Sequence, residues 1–239
     1  AFFFMNTIKS RKHVSLPRMN FMNNINSSKL LLLLFFCISL FACSSQLKKQ
    51  THNTTTMTAT TTTIHPQDLD TAVFAAGCFW CTEAVFLQIA GVEQVESGYM
   101  GGRIGEPSYE AVCTGTTGHA EVCRIIYDAQ KVSFQQLLQA FFLAHDPTQL
   151  NRQGNDEGTQ YRSAIFYKDE QQKALSAAII KELNATQVYP NPIVTSLEPM
   201  AIFYKAEDYH QNYYAQNKEQ PYCRFVIQPK LEKFKKAFK

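Results

Sequence analysis

Two stretches of helical periodicity, each set between short strand-like runs, constrain this chain more than any other feature. Thr71–Ala76 (TAVFAA) is an apolar run stopped by Gly77 and reads as a buried strand. Cys78–Ile89 sets Ala84, Val85, Leu87 and Ile89 at mixed helical spacing, and Gly91 ends it. Val92–Met100 and His119–Tyr127 read as strands, the latter rich in β-branched and aromatic residues. Ser133–Ala144 opens on a Ser cap and repeats Phe134, Leu137, Leu138, Phe141 and Phe142, a helix. Ser163–Tyr167 closes the series as a strand. The order β-α-β-β-α-β over 71–167 is that of the split βαβ, ferredoxin-like unit. It predicts an α+β two-layer sandwich, a mainly antiparallel sheet with helices on one face. A helix over Asp169–Leu183, a strand near Ile193–Ser196 and helices near Glu207–Gln216 and Lys230–Phe238 complete the expectation. The last would pack Leu231, Phe234 and Phe238 inward and leave five lysines in solvent.

The N-terminal third is built differently. Residues 30–42 (LLLLLFFCISLFA) are thirteen uncharged residues behind Lys29. That is shorter than the roughly 18–20 residues of a spanning helix and fits a secretory leader. Leu40-Phe41-Ala42-Cys43 resembles the bacterial lipoprotein processing box, although Phe41 is bulky for it. The resemblance makes Cys43 a lipidation site on an exported protein, and Ser44 favours the outer membrane. Met5, Met19 and Met22 are alternative starts; a start at Met19 or Met22 gives a leader of ordinary length, with 1–18 then untranslated. Residues 44–66 are Thr-rich, lack a hydrophobic period and read as a disordered tether, leaving 67–239 as the domain. The leader region 1–43 carries five of the 23 basic residues and no acid, so the rest of the chain has 18 basic and 20 acidic residues. The formal charge of +3 therefore gives no reason to expect nucleic-acid binding.

Five of the seven cysteines fall in the domain: Cys78, Cys81, Cys113, Cys123 and Cys223. Gly77-Cys78-Phe79-Trp80-Cys81 sits at a strand-to-helix junction. Amide N–H groups at a helix N-terminus favour an anion, so Cys78 is expected to have a lowered pKa and act as a nucleophile. The C-x-x-C spacing by itself also fits a disulfide, a metal half-site or a thioredoxin-type exchanger. No second Cys or His pair follows, so no metal is expected. Cys113 and Cys123 lie on expected core elements and read as buried, inert thiols. The long polar loop His145–Gln160 is of the kind that carries function.

The decisive segments come next. Gly77-Cys78-Phe79-Trp80 is followed by Gly98-Tyr99-Met100-Gly101-Gly102, Pro107-Ser108-Tyr109, Thr117-Gly118-His119-Ala120-Glu121, His145-Asp146-Pro147-Thr148 and Arg152-Gln153-Gly154-Asn155-Asp156-Glu157-Gly158-Thr159-Gln160-Tyr161-Arg162-Ser163. In this order and spacing they resemble the A-type peptide-methionine sulfoxide reductases, over about 72–236. The resemblance implies an α+β sandwich and reduction of the S-epimer of methionine sulfoxide, free or in proteins. It makes Cys78 the nucleophile, Phe79 and Trp80 the walls of a methyl pocket, and Tyr109, Glu121 and Tyr161 the groups facing the sulfoxide oxygen, with Asp156 supporting them. The chain ends soon after the match, so no B-type reductase domain is expected to be fused to it.

The chemistry agrees. A sulfoxide sulfur is a poor electrophile until its oxygen is protonated, so a thiolate must attack while an acid delivers a proton. Glu121 serves only if an apolar surround keeps it neutral. Tyr109 and Tyr161 supply O–H donors to the oxygen. His119 and His145 read as structural hydrogen-bonding residues, and Ala206–Gln211 as packing and capping around the site. The sulfenic acid left on Cys78 is expected to condense with Cys81, one helical turn on, or with Cys223 in a mobile C-terminal segment that would fold over the site. No bound cofactor is implied. The expected partners are a thioredoxin-like extracytoplasmic reductant and oxidised proteins or free methionine sulfoxide. The protein is expected to be a monomer that meets the membrane only through its lipid.

Overall fold

The computed structural model describes residues 68–238; the leader, Cys43 and the whole Thr-rich tether lie outside them. The described chain runs β1 (Leu69–Ala76), α1 (Phe79–Phe86), β2 (Val92–Met100), α2 (Tyr109–Cys113), β3 (Ala120–Asp128) and α3 (Phe134–Ala144). A small hairpin follows, β4 (Arg152–Gln153) and β5 (Asp156–Glu157), then β6 (Ser163–Tyr167) and α4 (Glu170–Ala185). The chain ends with β7 (Ser196–Pro199), β8 (Tyr204–Lys205), α5 (Tyr213–Gln216) and α6 (Gln228–Ala237).

The main sheet has the order β7-β6-β1-β3-β2-β8. Only β6–β7 is parallel; the other pairs are antiparallel. β1, α1, β2, β3, α3 and β6 form the expected β-α-β-β-α-β unit, and the α+β sandwich read from the sequence is the fold observed. Alternation along the strands sorts the core into two faces. Ala72 and Phe74 of β1, Cys123 and Ile125 of β3 and Ile165 of β6 pack with α1, α3 and α6 through Phe86, Leu138, Phe141, Leu231 and Phe234. Val73, Ala75, Val122, Ala164 and Phe166 face the other way and are covered by Met200 and Phe203.

Local signals fixed the best-placed ends. Ser133 closes a reciprocal capping box with Gln136 at the start of α3, and Asp169 accepts from the Gln172 N–H at 2.8 Å to start α4. Leu231 and Phe234 are buried on α6, as their spacing predicts.

Three expectations are corrected. The strand near Ile193–Ser196 lies at Ser196–Pro199 instead. Ile193 and Val194 direct their N–H groups elsewhere, to the Asn184 side chain at 2.9 Å and the Pro147 carbonyl at 2.8 Å. The helix over Glu207–Gln216 is two pieces, a 3₁₀ turn (Asp208–His210) and α5, separated by Asn212 at φ +50. The buried carboxylate of Glu83 accepts the N–H groups of Asn212 (2.8 Å) and Tyr213 (3.2 Å), a contact from α1 that a helical period cannot reveal. Cys113 is exposed, not core. It ends the five-residue α2, in which only Val112 points inward.

Candidate active site

β1 delivers the chain to Gly77, which turns at φ +85. A Cβ there would meet the Cβ of Gln153 at 2.5 Å, so this junction requires glycine for both conformation and space. Cys78 follows as the N-cap of α1 and Cys81 lies in its first turn, its N–H donating to the Cys78 carbonyl at 3.2 Å. Both thiols are free and nearly buried, at 8% and 2% exposure.

Glu121 comes from the neighbouring strand. It is two residues before Cys123 on β3, so alternation aims it at the helix-bearing face, where it is buried beside the start of α1. Its Oε2 accepts the Phe79 N–H at 2.9 Å. Burial pushes its pKa up to about 8; the Phe79 N–H opposes this, and the negative charges of Asp156 and Cys81 reinforce it. Glu121 is therefore mostly protonated at pH 7, a buried neutral acid beside a thiol.

Aromatic rings surround this pair. Phe79 stacks with Tyr109 at 6.5 Å between centroids. Trp80 lies flat on Tyr213 at 3.7 Å and 6°, and its Nε1–H donates to His210 Nδ1 at 3.1 Å. Tyr109 is anchored through its N–H to Glu207 Oε1 at 2.9 Å, and Glu207 Oε2 accepts from the Tyr99 hydroxyl at 2.9 Å. Tyr161 ends a 3₁₀ turn, and the guanidinium of Arg162 ties that turn to the Gly118 carbonyl and to Glu198. Burial and the charge of Glu121 both raise the pKa of Tyr161, and burial, Cys113 and Glu121 raise that of Tyr109, so both stay O–H donors.

The sequence-derived residues thus come together, with differences. Asp156, expected to support the tyrosine–glutamate network, hydrogen-bonds to Tyr222 Oη at 2.9 Å, and that same hydroxyl is 3.8 Å from Cys81 Sγ. The thiol expected to be lowered by the helix terminus is raised. Burial, the hydrogen bond with Cys81 and the charges of Cys81 and Glu121 push the Cys78 pKa well up. Cys81 is the lowered one, to about 7, chiefly through the hydrogen bond from Cys78, with help from Lys230 and Tyr222. Cys223 is not on an open tail: it is fully buried in the core at the start of a π-helical turn (Cys223–Ile227) leading into α6. His119 and His145 bond locally, His119 to the Gly102 N–H and Ile104 carbonyl, His145 to the Phe141 carbonyl and Ser163 hydroxyl.

Sequence reasoning missed Tyr222, Tyr213, His210 and Glu83 as parts of this site. Tyr222 stands 141 residues from Cys81, and only its position beside Cys223 drew attention to that stretch. His210 lay in a segment read as packing.

Comparison with known proteins matches this geometry. A family model described as peptide methionine sulfoxide reductase matches residues 70–239. The peptide methionine sulfoxide reductase MsrA of Chromobacterium violaceum is 53% identical over 170 residues, covering 71% of this chain and 97% of that protein. The MsrA of Nautilia profundicola is 56% identical over 165 residues, covering 69% and 94%. The structure of methionine sulfoxide reductase A of Corynebacterium diphtheriae superposes with a TM-score of 0.57 at 35% identity, covering 64% of this chain and 76% of that one. With a buried acid and a cysteine turn held by the matched segment itself, the chain belongs to the peptide methionine sulfoxide reductase family.

Proposed function

We propose that the protein reduces the S-epimer of methionine sulfoxide to methionine, free or in proteins, with Cys78 as nucleophile and Glu121 as the acid. The observation that carries this reading is the Phe79 N–H to Glu121 bond, which joins the turn bearing Cys78 to a buried carboxyl that is protonated at neutral pH. Cys78 attacks the sulfoxide sulfur as Glu121 protonates the oxygen, and the hydroxyls of Tyr109 and Tyr161 stabilise the charge that develops there. Phe79 and Trp80 wall the methyl group, where sulfur–aromatic contacts favour a thioether. Oxygen passes to Cys78 as a sulfenic acid and methionine leaves. A second thiol, Cys81 or Cys223, forms a disulfide with loss of water, and a thioredoxin-like dithiol reduces it.

The same proposal places the enzyme outside the cytoplasm as a monomer, anchored by a lipid on Cys43. The support is the basic, apolar leader ending at Leu40-Phe41-Ala42-Cys43. Lipid labelling that persists in Cys43→Ala would remove the anchor from the proposal without touching the chemistry.

The chemistry is tested with dithiothreitol and the two separated epimers of an N-blocked methionine sulfoxide. Reduction of the S-epimer alone, lost in Cys78→Ser, is the expected result. A folded protein with reduced thiols that turns over neither epimer would overturn the reading and favour a disulfide exchanger.

A further inference from the structure

Among the described residues, three buried side-chain polar atoms have no hydrogen-bond partner: Ser97 Oγ, Gln160 Oε1 and His210 Nε2. The last belongs to a side chain that lies against both aromatic walls of the pocket. Between centroids, the His210 ring is 5.1 Å from Phe79, 5.6 Å from Trp80 and 4.4 Å from Tyr109. It is 1% exposed. A polar atom left unpaired at that depth costs stability, so its presence beside a binding pocket points to a second use.

The chemistry of the partners fixes where the imidazole proton sits. An indole N–H donates and never accepts, so His210 Nδ1, 3.1 Å from Trp80 Nε1, offers its lone pair. A neutral imidazole with Nδ1 bare carries its proton on Nε2. That Nε2–H is the unpaired donor, and Glu207 Oε2 stands 3.7 Å away, just beyond hydrogen-bonding distance. An imidazolium reverses both contacts. With a proton on each nitrogen, two N–H donors would face each other across 3.1 Å at Trp80. The same charge draws Nε2–H onto the Glu207 carboxylate. Burial disfavours the imidazolium, and the carboxylates of Glu207, at the head of its own turn, and Glu110, on α2, favour it; burial prevails. The phenols beside it are Tyr209 on its own turn and Tyr109 on α2, while α1 presents Phe79 and Trp80, which do not titrate.

Resting on the substrate pocket read above, we propose that His210 is a positioning residue with two states. Neutral, with its proton on Nε2, it holds Trp80 against the substrate methyl group; on taking a second proton at Nδ1 it releases the indole and pairs with Glu207. The change takes one proton from solvent and moves no electrons. Trp80 keeps its stack on Tyr213 at 3.7 Å but loses the bond that sets its edge. The wall of the pocket loosens, and the sulfoxide binds less tightly as pH falls through the step. Glu207 is a ready partner because its carboxylate already takes the Tyr99 hydroxyl and the Tyr109 N–H and has lone pairs to spare.

Trp80 is the one tryptophan of the chain, so intrinsic fluorescence of the full chain reports on this indole. Emission should change in a one-proton step below 6.5, the ordinary histidine value. His210→Asn, whose side-chain oxygen still accepts the indole N–H but does not titrate, should abolish the step. Glu207→Gln, which leaves His210 intact and removes its charged partner, should move the step down by about one pH unit. Imidazole 15N–1H correlation at pH 8 should find His210 protonated at Nε2 and bare at Nδ1. Binding is measured in the full chain carrying Cys78→Ser, which cannot turn over. The S-epimer of N-blocked methionine sulfoxide should bind about fivefold more weakly below the step than at pH 8, and adding His210→Asn should make its affinity independent of pH. A proton on Nδ1 at pH 8, a step that survives in His210→Asn or stays unmoved in Glu207→Gln, or an affinity that does not follow the step would each overturn the proposal. Methionine formed by the wild type at pH 8 reports separately on the reaction. Its absence would sink the functional reading, whereas its presence with the wrong tautomer or step would sink only the role of His210.

Discussion

The N–H of Phe79 donates to Glu121 Oε2 at 2.9 Å across 42 residues of sequence. A protonated carboxyl accepts through its carbonyl oxygen and donates through its hydroxyl. With Oε2 occupied by the N–H, the acid proton belongs on Oε1, which has no hydrogen-bond partner among the described residues. The backbone beside the candidate nucleophile therefore fixes which oxygen of the acid is free to donate.

Glu121→Gln keeps the shape and an acceptor for the Phe79 N–H but removes the transferable proton. Sulfoxide reduction should slow by about 10²–10⁴-fold with near-UV circular dichroism unchanged. The wild type should lose kcat/KM above about pH 8, where Glu121 ionises. A variant of wild-type rate, or a wild-type profile flat through pH 9, would refute the role of this acid.

The same raised pKa sets a stability prediction. The ordinary value is 4.5 and the folded value is about 8, so the folded state holds its proton more tightly. This contribution is fully present below about pH 4.5 and is lost as pH rises through about 8. Relative to Glu121→Gln, the wild type should lose about 3–5 kcal/mol between pH 4.5 and 9. Urea unfolding of both proteins at pH 5 and pH 9 measures it; a constant difference would contradict a buried neutral acid.

Tyr222 gives its hydroxyl to Asp156 while lying against Cys81. Tyr222→Phe should cost about 1 kcal/mol of stability and lower kcat/KM about tenfold, since a half-buried carboxylate loses its donor beside the reacting thiols. Steady-state kinetics with unblocked and N-blocked substrate would show whether the loss is in turnover.

Trp80 is held flat by Tyr213 and pinned by His210. Trp80→Ala should raise the KM for methionine sulfoxide about tenfold, ~1.4 kcal/mol of binding. His210→Ala should reproduce part of that rise by freeing the indole. An unchanged KM in both would remove the methyl pocket from this face.

Glu83 fastens α1 to the turn before α5 through two N–H groups. Glu83→Ala leaves both part-buried donors without their acceptor and should cost about 1–3 kcal/mol, with Glu83→Gln milder because one acceptor remains. The urea midpoint is the measurement.

The sequence by itself determined the β-α-β-β-α-β unit and most of its boundaries, because those rest on local properties. Alternation of Val122 with Cys123 and the caps at Ser133 and Asp169 act within a few residues. The motif segments likewise named the residues that meet around Cys78. Tertiary structure alone decided the rest. Asn212 turns left-handed because Glu83 reaches it from 129 residues away, and Ile193 leaves the sheet because Asn184 takes its N–H. The Cys78 thiol is raised rather than lowered because burial and the neighbouring charges outweigh the helix-terminus field, which acts only within the first turn. Tyr222 joins the site only when the C-terminal segment packs on α1. Electrostatics and hydrogen-bond partners depend on distance in space, and a sequence records only distance along the chain.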